Sequence, residues 1–373
     1  MYFSNVNVCI FIESHIVPVE LGIVIPFTKL CEDKFIKSYH ISTYRDILKY
    51  HRESQNRIIN RPVAVRKKFV EKGLGTLLDQ LMQSYELFVF YRACGNIAYH
   101  ELFKKLKNRS KKVVYLTDDD LSLLSDHPRY SSFKPHIHVP VYLQDADLVG
   151  VYSDYLYEKY KCYNPSIVKL NSPSNVEYID QIRSIIKPII HPFTIVLGYS
   201  AAAHHRNHFN LCKDALYHIL QKYDHVRLEL FFDPEDSRFT SSHKVYIARP
   251  VTSGVNSFYQ YLLKRNWDIG IAPLADTEFN RAKTSVKYRE YSALRIAGVY
   301  SNIVTYNKDV THKQTGVLTE NTTDAWVEAL ESLINDQNLR QTIITNAHQD
   351  AHNRFSLSQF VESYKQALLT VMR

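Results

Sequence analysis

Residues Trp267–Ser301 read WDIGIAPLADTEFNRAKTSVKYREYSALRIAGVYS, and the order of patterns within them decides the fold class. A short apolar run, Asp268–Ala272, has the length of a buried strand. A polar and charged loop follows, then a helical pattern over Ser285–Arg295 and a second apolar run over Val299–Val304. Strand, loop, helix, strand is the βαβ unit of a parallel sheet, because parallel neighbours need a long crossover.

The same alternation extends in both directions. Towards the N-terminus it predicts strands near Val6–Ile12, Ser38–Ser42, Leu87–Tyr91, Val113–Leu116, Leu148–Tyr152 and Ile167–Leu170, with helices near Pro62–Ser84, Ile97–Asn108 and Asp154–Lys161. A second series has strands Thr194–Gly198, Arg227–Phe231 and Lys244–Ile247, and helices Leu211–Tyr223 and Ser257–Arg265. Helices near Thr323–Asp336, Asn338–Asn353 and Ser356–Val371 close the chain. The reading is α/β with two Rossmann-like domains, joined at the proline-flanked KPIIHPF, Lys187–Phe193. The domains are 1–190, 191–355 and a final helix over 356–373. A ligand is expected in a cleft between them, at the carboxyl ends of the strands.

Composition narrows the function. The chain of 373 residues is long enough for about two and a half domains, and its 45% apolar and 23% charged residues, with 27 Tyr and 18 Phe, exclude disorder. A net charge of +8 favours anionic partners. Five cysteines without a CxxC pair argue against a disulfide framework or a zinc site and fit a cytoplasmic setting. No stretch has the ~18 apolar residues of a membrane span, and MYFSNVNVCIFIESH lacks the pattern of a signal peptide. Ten glycines is well under half of the usual ~7%, so phosphate loops built from glycine have few places to sit.

In Trp267–Ser301, Lys283, Lys287 and Glu290 are spaced by four and three, close to one helical face, with Ser285 at the helix start. Two cations beside the N–H groups of a helix N-terminus make an anion site without glycine, and a carboxylate one turn on suits two ribose hydroxyls. On spacing alone, the three also read as a solvated helix face with an i,i+3 ion pair, the commoner case. Arg206 adds a guanidinium fork suited to phosphate in FTIVLGYSAAAHHRNHF, Phe193–Phe209. HHRNH is a poor metal set, since adjacent His204 and His205 rarely point to one centre.

The segment APLADTEFNRAKTSVKYREYSALRIAGV resembles the donor-binding segment of family 4-like glycosyltransferases of the GT-B fold. The likeness runs through Pro273, Leu274, Asp276, Thr277, Phe279, Asn280, Ala282, Lys283, Lys287, Tyr288, Glu290 and Tyr291; Arg295 and Ala297 stand where that family has Gly and Pro. The loop after Thr194–Gly198 resembles the family's phosphate loop through Gly198, Tyr199, Ser200, His204 and Arg206, with alanines replacing its second glycine. In the first half, YELFVFYRACGNIAYHELFKKLKNRSKKVVYLTDDDLSLL (Tyr85–Leu124) resembles the family's strand, helix, strand and acidic turn, and QDADLVGVYSDYLYEKYKCYNPSIVKLNSP (Gln144–Pro173) its closing strand and helix.

The resemblance implies a two-domain GT-B glycosyltransferase, its first domain holding the acceptor and its last helix crossing back to that domain. The donor would be a nucleotide-sugar held by Gly198, Tyr199, Ser200, His204, Arg206, Pro273, Leu274, Thr277, Phe279, Asn280, Lys283, Ser285, Lys287 and Glu290. Lys283, Lys287 and Arg206 would stabilise the departing diphosphate, so neither metal nor other cofactor is expected. Asp118 or Asp119 would act at the acceptor hydroxyl, since clustered carboxylates raise one another's pKa; a helix cap is the alternative for Asp119 or Asp120. Arg92, Asp120, Ser153, Asn171 and Ser172 would line the acceptor side.

The acceptor implied is a glycan or lipid-linked oligosaccharide of bacterial surface polysaccharide or lipopolysaccharide synthesis, with retention of configuration. The basic stretches Arg61–Leu81 and Lys104–Lys112 would suit a peripheral seat on an anionic membrane, or merely a solvated surface. A DNA- or protein-modifying glycosyltransferase, a nucleotide-sugar epimerase and a non-catalytic partner subunit are the alternatives. Nucleic-acid binding lacks the exposed alternation of basic and aromatic residues that it needs.

Overall fold

The computed structural model describes residues 3–12, 19–43, 77–95, 97–124, 134–191, 194–201, 206–248 and 254–372. The chain divides into two compact units, one of Met1–Asn171 with Phe360–Arg373 and the other of Ser172–Gln359. Residues 172–190, grouped with the first half by sequence, fall in the second unit.

The first unit is built on a six-stranded sheet of β1 (Phe3–Ile12), β2 (Ile36–Thr43), β3 (Leu87–Tyr91), β4 (Lys112–Thr117), β5 (Leu148–Val151) and β6 (Ile167–Lys169), in the order β2-β1-β3-β4-β5-β6. Every pairing is parallel. β3 and β5 are buried along their whole length and β4 everywhere but at Lys112, which is why they read as near-continuous apolar runs. Aromatic rings fill the space beside the sheet: Tyr142 stacks on Tyr115 with centroids 5.3 Å apart and meets Phe103 edge-on at 4.9 Å.

The final helix, Leu357–Met372, belongs to this unit from Phe360 onward. Its Tyr364 hydroxyl donates to the Gly22 carbonyl at 2.7 Å and shares a 2.5 Å hydrogen bond with the Tyr152 hydroxyl, and Lys365 pairs with Asp33 at 2.9 Å.

The second unit is built on β7 (Ile195–Tyr199), β8 (Val226–Leu230), β9 (Val245–Ile247), β10 (Ile269–Ala272), β11 (Ala297–Ser301) and β12 (Val317–Thr319), in the order β12-β11-β10-β7-β8-β9. All of its ladder pairings are parallel. The order reverses between β10 and β7, the place where such sheets receive ligands. Helices Lys213–Lys222 and Thr323–Asn335 pack one face of a core that includes Leu197, Leu228, Ile269, Val299 and the fully buried Trp326.

Several elements differ from the sequence reading. The run Val299–Val304 stops as a strand at Ser301, and Val304–Asn307 forms a helical turn. β12 is too short to show a period. Helix Pro135–Asp145 carries Pro140 inside it, which reads against a helix, yet burial of Val139, Tyr142 and Leu143 holds it. Helices Ile25–Glu32 and Val176–Arg183 were also not anticipated. Of the helix expected over Pro62–Ser84, residues 77–84 are helical and the rest lies outside the described residues, as does most of Arg61–Leu81. No helix among the described residues is long and apolar enough to cross a membrane.

Candidate functional site

At the reversal point of the second sheet, β7 leads into Ser200 and β10 into Pro273 and Leu274. The loop after β10 is tied down by a ring of hydrogen bonds. The Leu274 N–H donates to the Ser301 hydroxyl at 2.8 Å, that hydroxyl donates to Asn321 Oδ1 at 2.7 Å, and Asn321 Nδ2 donates back to the Leu274 carbonyl at 3.0 Å. Ser301 and Asn321 escaped the sequence reading, since a lone Ser after a strand and a lone Asn in a turn carry no spacing signal.

Thr277 caps the helical turn Glu278–Arg281, accepting from the Asn280 N–H at 3.2 Å. Asn280 is buried; its side chain donates to the Ala275 carbonyl at 2.9 Å and its own carbonyl accepts from the Thr305 hydroxyl at 2.6 Å. Both shape the loop. Lys283 lies in the turn before helix Val286–Ala293, not on it, with Nζ 5.0 Å from the ring centre of half-buried Phe279. Lys287 and Glu290 are on that helix.

Ser285 precedes the helix but does not cap it, because its hydroxyl donates to Asp309 Oδ2 at 2.5 Å. The first-turn N–H groups therefore get no hydroxyl from Ser285. Lys287 reaches from this turn to the Ser200 hydroxyl at 2.9 Å and to Glu290 Oε2 at 2.5 Å. The side chain of Glu290 is 9% exposed and that of Lys287 is 21%. A cation, a carboxylate and a hydroxyl thus meet at a helix start on the reversal point of the sheet.

Other expected donor residues serve the fold. Gly198 is inside β7 rather than in the loop, and a Cβ there would sit 1.8 Å from Trp267 Cδ2, so the indole requires the glycine. Trp267 is held in turn by Nε1 donating to Glu229 at 2.8 Å. Tyr199 packs edge-on against Phe232 and belongs to the core. Arg206 pairs with Glu235 at 2.7 Å and donates to the Asp233 carbonyl at 3.1 Å, so its fork already has acceptors. His204 and His205 lie outside the described residues.

In the first unit, Arg92 follows β3 with φ 57°, a left-handed backbone that a branched or long side chain rarely takes. Its guanidinium bonds Asp118 through Nη1 and Asp119 through Nη2 at 2.8 Å, just past the end of β4. Burial pushes the Asp118 carboxyl up from its ordinary range, against the pull of Arg92 and with the help of the Asp119 charge. Asp120 belongs elsewhere. Fully buried, it accepts from Tyr160 at 2.6 Å and Ser122 at 2.5 Å and pairs with Lys159 at 2.6 Å. Ser153 caps helix Asp154–Tyr160 by accepting from the Leu156 N–H at 3.2 Å, and the Asn171 N–H donates to Ser363 at 3.3 Å. Arg92, Asp118 and Asp119 are brought together; Asp120, Ser153 and Asn171 are held by the fold.

No protein-family model matches the sequence, and no curated protein does. Solved structures do match over the whole length. A glycosyltransferase from Rickettsia africae is 14% identical with a TM-score of 0.67, covering 98% of this chain and 99% of that one. Anabaena HepE in complex with UDP-glucose is 15% identical with a TM-score of 0.66, covering 98% and 100%. A UDP-N-acetylglucosamine 2-epimerase is 12% identical with a TM-score of 0.53, covering 93% and 94%. At such identities the likeness is one of fold, and the fold is GT-B, α/β with two Rossmann-like units.

Proposed function

We propose that the chain is a glycosyltransferase that moves a sugar from a nucleotide diphosphate donor to a hydroxyl of a glycan or lipid-linked acceptor. The observation that carries this is Lys287, set at the start of helix Val286–Ala293 between Ser200 and Glu290 at the reversal point of the second sheet. A diphosphate there would meet first-turn N–H groups and the Lys287 ammonium, while Glu290 would accept from the ribose hydroxyls. Lys287 and Lys283 would take up the charge of the departing diphosphate, so transfer would need no metal. Structures of the same fold that hold UDP-glucose support the donor class.

On the acceptor side, Asp118 is the candidate to take the hydroxyl proton, its raised pKa bringing it nearer the working pH of a base. A role in surface polysaccharide synthesis, retention of configuration, and a cytoplasmic protein seated peripherally on an anionic membrane complete the reading. The net charge of +8 suits that surface.

The test is a thermal-shift screen of UDP, GDP, CMP and dTDP with their common sugars. One nucleotide should raise the melting temperature in wild type and fail to do so in Lys287→Ala. If none stabilises the wild-type chain, the donor reading fails. Nucleotide release that needs no acceptor and interconverts the sugar would point to an epimerase instead. Transfer that stops with a chelator and returns with magnesium would overturn metal independence.

A further inference from the structure

The second unit holds a cluster that no donor residue uses. Asp180, on helix Val176–Arg183, faces His348 and His352, which lie four apart on helix Gln337–Phe355 and so share one face. Asp180 Oδ2 is 2.8 Å from His352 Nε2 and 3.2 Å from His348 Nε2, and the three atoms all lie within 4.8 Å of one another. With metal–ligand bonds of ~2.0–2.1 Å, the edge of a zinc tetrahedron is about 3.3 Å, so the cluster needs only small rotations to close on an ion.

An independent contact points the same way. His348 Nδ1 lies 3.3 Å from the Ser292 carbonyl, which can only accept, so the Nδ1 carries the proton and the Nε2 lone pair of the neutral ring faces Asp180. Metal-binding histidines are commonly oriented in this manner, by donating the other ring N–H to a carbonyl. Burial lowers the His348 pKa and so favours the neutral ring that a metal requires. A lone pair set beside a carboxylate calls for a cation between them. Arg295 fills that role: its Nη2 is 3.2 Å from His348 Nε2 and 3.3 Å from Asp180 Oδ1. The Arg295 side chain is 44% exposed and can leave without opening a core.

We propose that Asp180, His348 and His352 bind a divalent transition-metal ion of the zinc type, with water as the fourth ligand and Arg295 as the cation it displaces. Binding takes a lone pair from each of Asp180 Oδ2, His348 Nε2 and His352 Nε2; His352 binds as the neutral Nδ1–H tautomer, so the proton on Nε2 passes to solvent while Nδ1 keeps a proton or takes one from water. The ion would join helix Val176–Arg183 to helix Gln337–Phe355 and, through Ser292, to the end of the helix bearing Lys287 and Glu290. Its role is to brace the unit. It takes no part in transfer and stands whether or not the donor reading holds.

The experiment is a titration of the full chain, without a histidine tag, with Co²⁺ followed by visible absorption and then by Zn²⁺ competition. One equivalent of Co²⁺ should give intense four-coordinate bands that Zn²⁺ removes, with tighter binding at pH 8 than at pH 6. Zn²⁺ but not Mg²⁺ should raise the melting temperature. His348→Gln and His352→Gln should each lose that equivalent. Arg295→Ala should keep it and tighten it about two- to fivefold, the range of one exposed ion pair. Absence of the bands in wild type, their survival in both histidine variants, or weaker binding in Arg295→Ala would each overturn the proposal.

Discussion

In the first sheet the strand order turns back between β1 and β3, and in the second between β10 and β7, yet the residues beside the two turning points differ in charge balance. Beside β3, Arg92 lies between Asp118 and Asp119, so one cation answers two carboxylates. Beside β7, Lys287 answers one carboxylate and a neutral hydroxyl at a helix start that Ser285 leaves uncapped. The first arrangement retains negative charge and suits a proton acceptor. The second retains positive potential and suits a phosphate. Two sheets of one architecture are thus told apart by side chains placed just past a strand, as Arg92, Asp118 and Ser200 are, or in the opening turns of the following helix, as Lys287 and Glu290 are.

The sharpest way to break the comparison is to remove the cation of the second sheet. Lys287→Ala should lower kcat/KM for transfer by about 10²-fold or more, the scale for losing a group that stabilises developing charge, while leaving the circular dichroism spectrum unchanged. Equal loss in Arg206→Ala would move the phosphate to the loop after β7.

Next in size is Gly198→Ala. Its Cβ would collide with the Trp267 indole at 1.8 Å, so the variant should lose about 3 kcal/mol of stability, read by urea unfolding. Donor affinity of the molecules that remain folded should hold. Preserved stability with lost affinity would return Gly198 to the phosphate site.

The smallest effect sharpens the first unit. His100 is buried, its ring centre 4.2 Å from that of His138, and burial drives its pKa down to about 4. The unfolded chain, with an ordinary histidine near ~6.5, binds the proton more readily below that pH, so stability is full above about pH 6.5 and falls as the pH drops towards 4. By pH 5 the loss should be about 2 kcal/mol. A melting temperature of the first unit that stays level from pH 7 to pH 5 would contradict this.

Eleven of the twelve strands among the described residues were legible in the sequence, most of them because parallel strands buried on both faces appear as apolar runs that need no knowledge of partners. The candidate site was legible only in part. Lys287 and Glu290 announce themselves by i,i+3 spacing on one helix. Ser200 entered only through the family resemblance, and Ser301 and Asn321 not at all, since each meets its partner across strands or loops. Gly198 shows the converse: the sequence placed it at a phosphate, whereas Trp267, 69 positions on, explains it. Asp120 likewise reads as one of three equivalent aspartates until Tyr160 and Lys159 are seen to enclose it.

Arg295 joins the two levels. At φ 53° after helix Val286–Ala293 it occupies a left-handed position that favours glycine. The sequence marks it as out of place, and only the tertiary structure supplies a reason, in its contacts with Asp180 and His348. Local pattern by itself determined the strands, most helices, the α/β class and the charged helix, because each depends on the period of hydrophobicity or on neighbours within one turn. Which carboxylates are neutralised, which glycine makes room for an indole and which histidines converge on Asp180 were decided by packing. Those depend on distances between residues far apart in the chain, which no local period encodes.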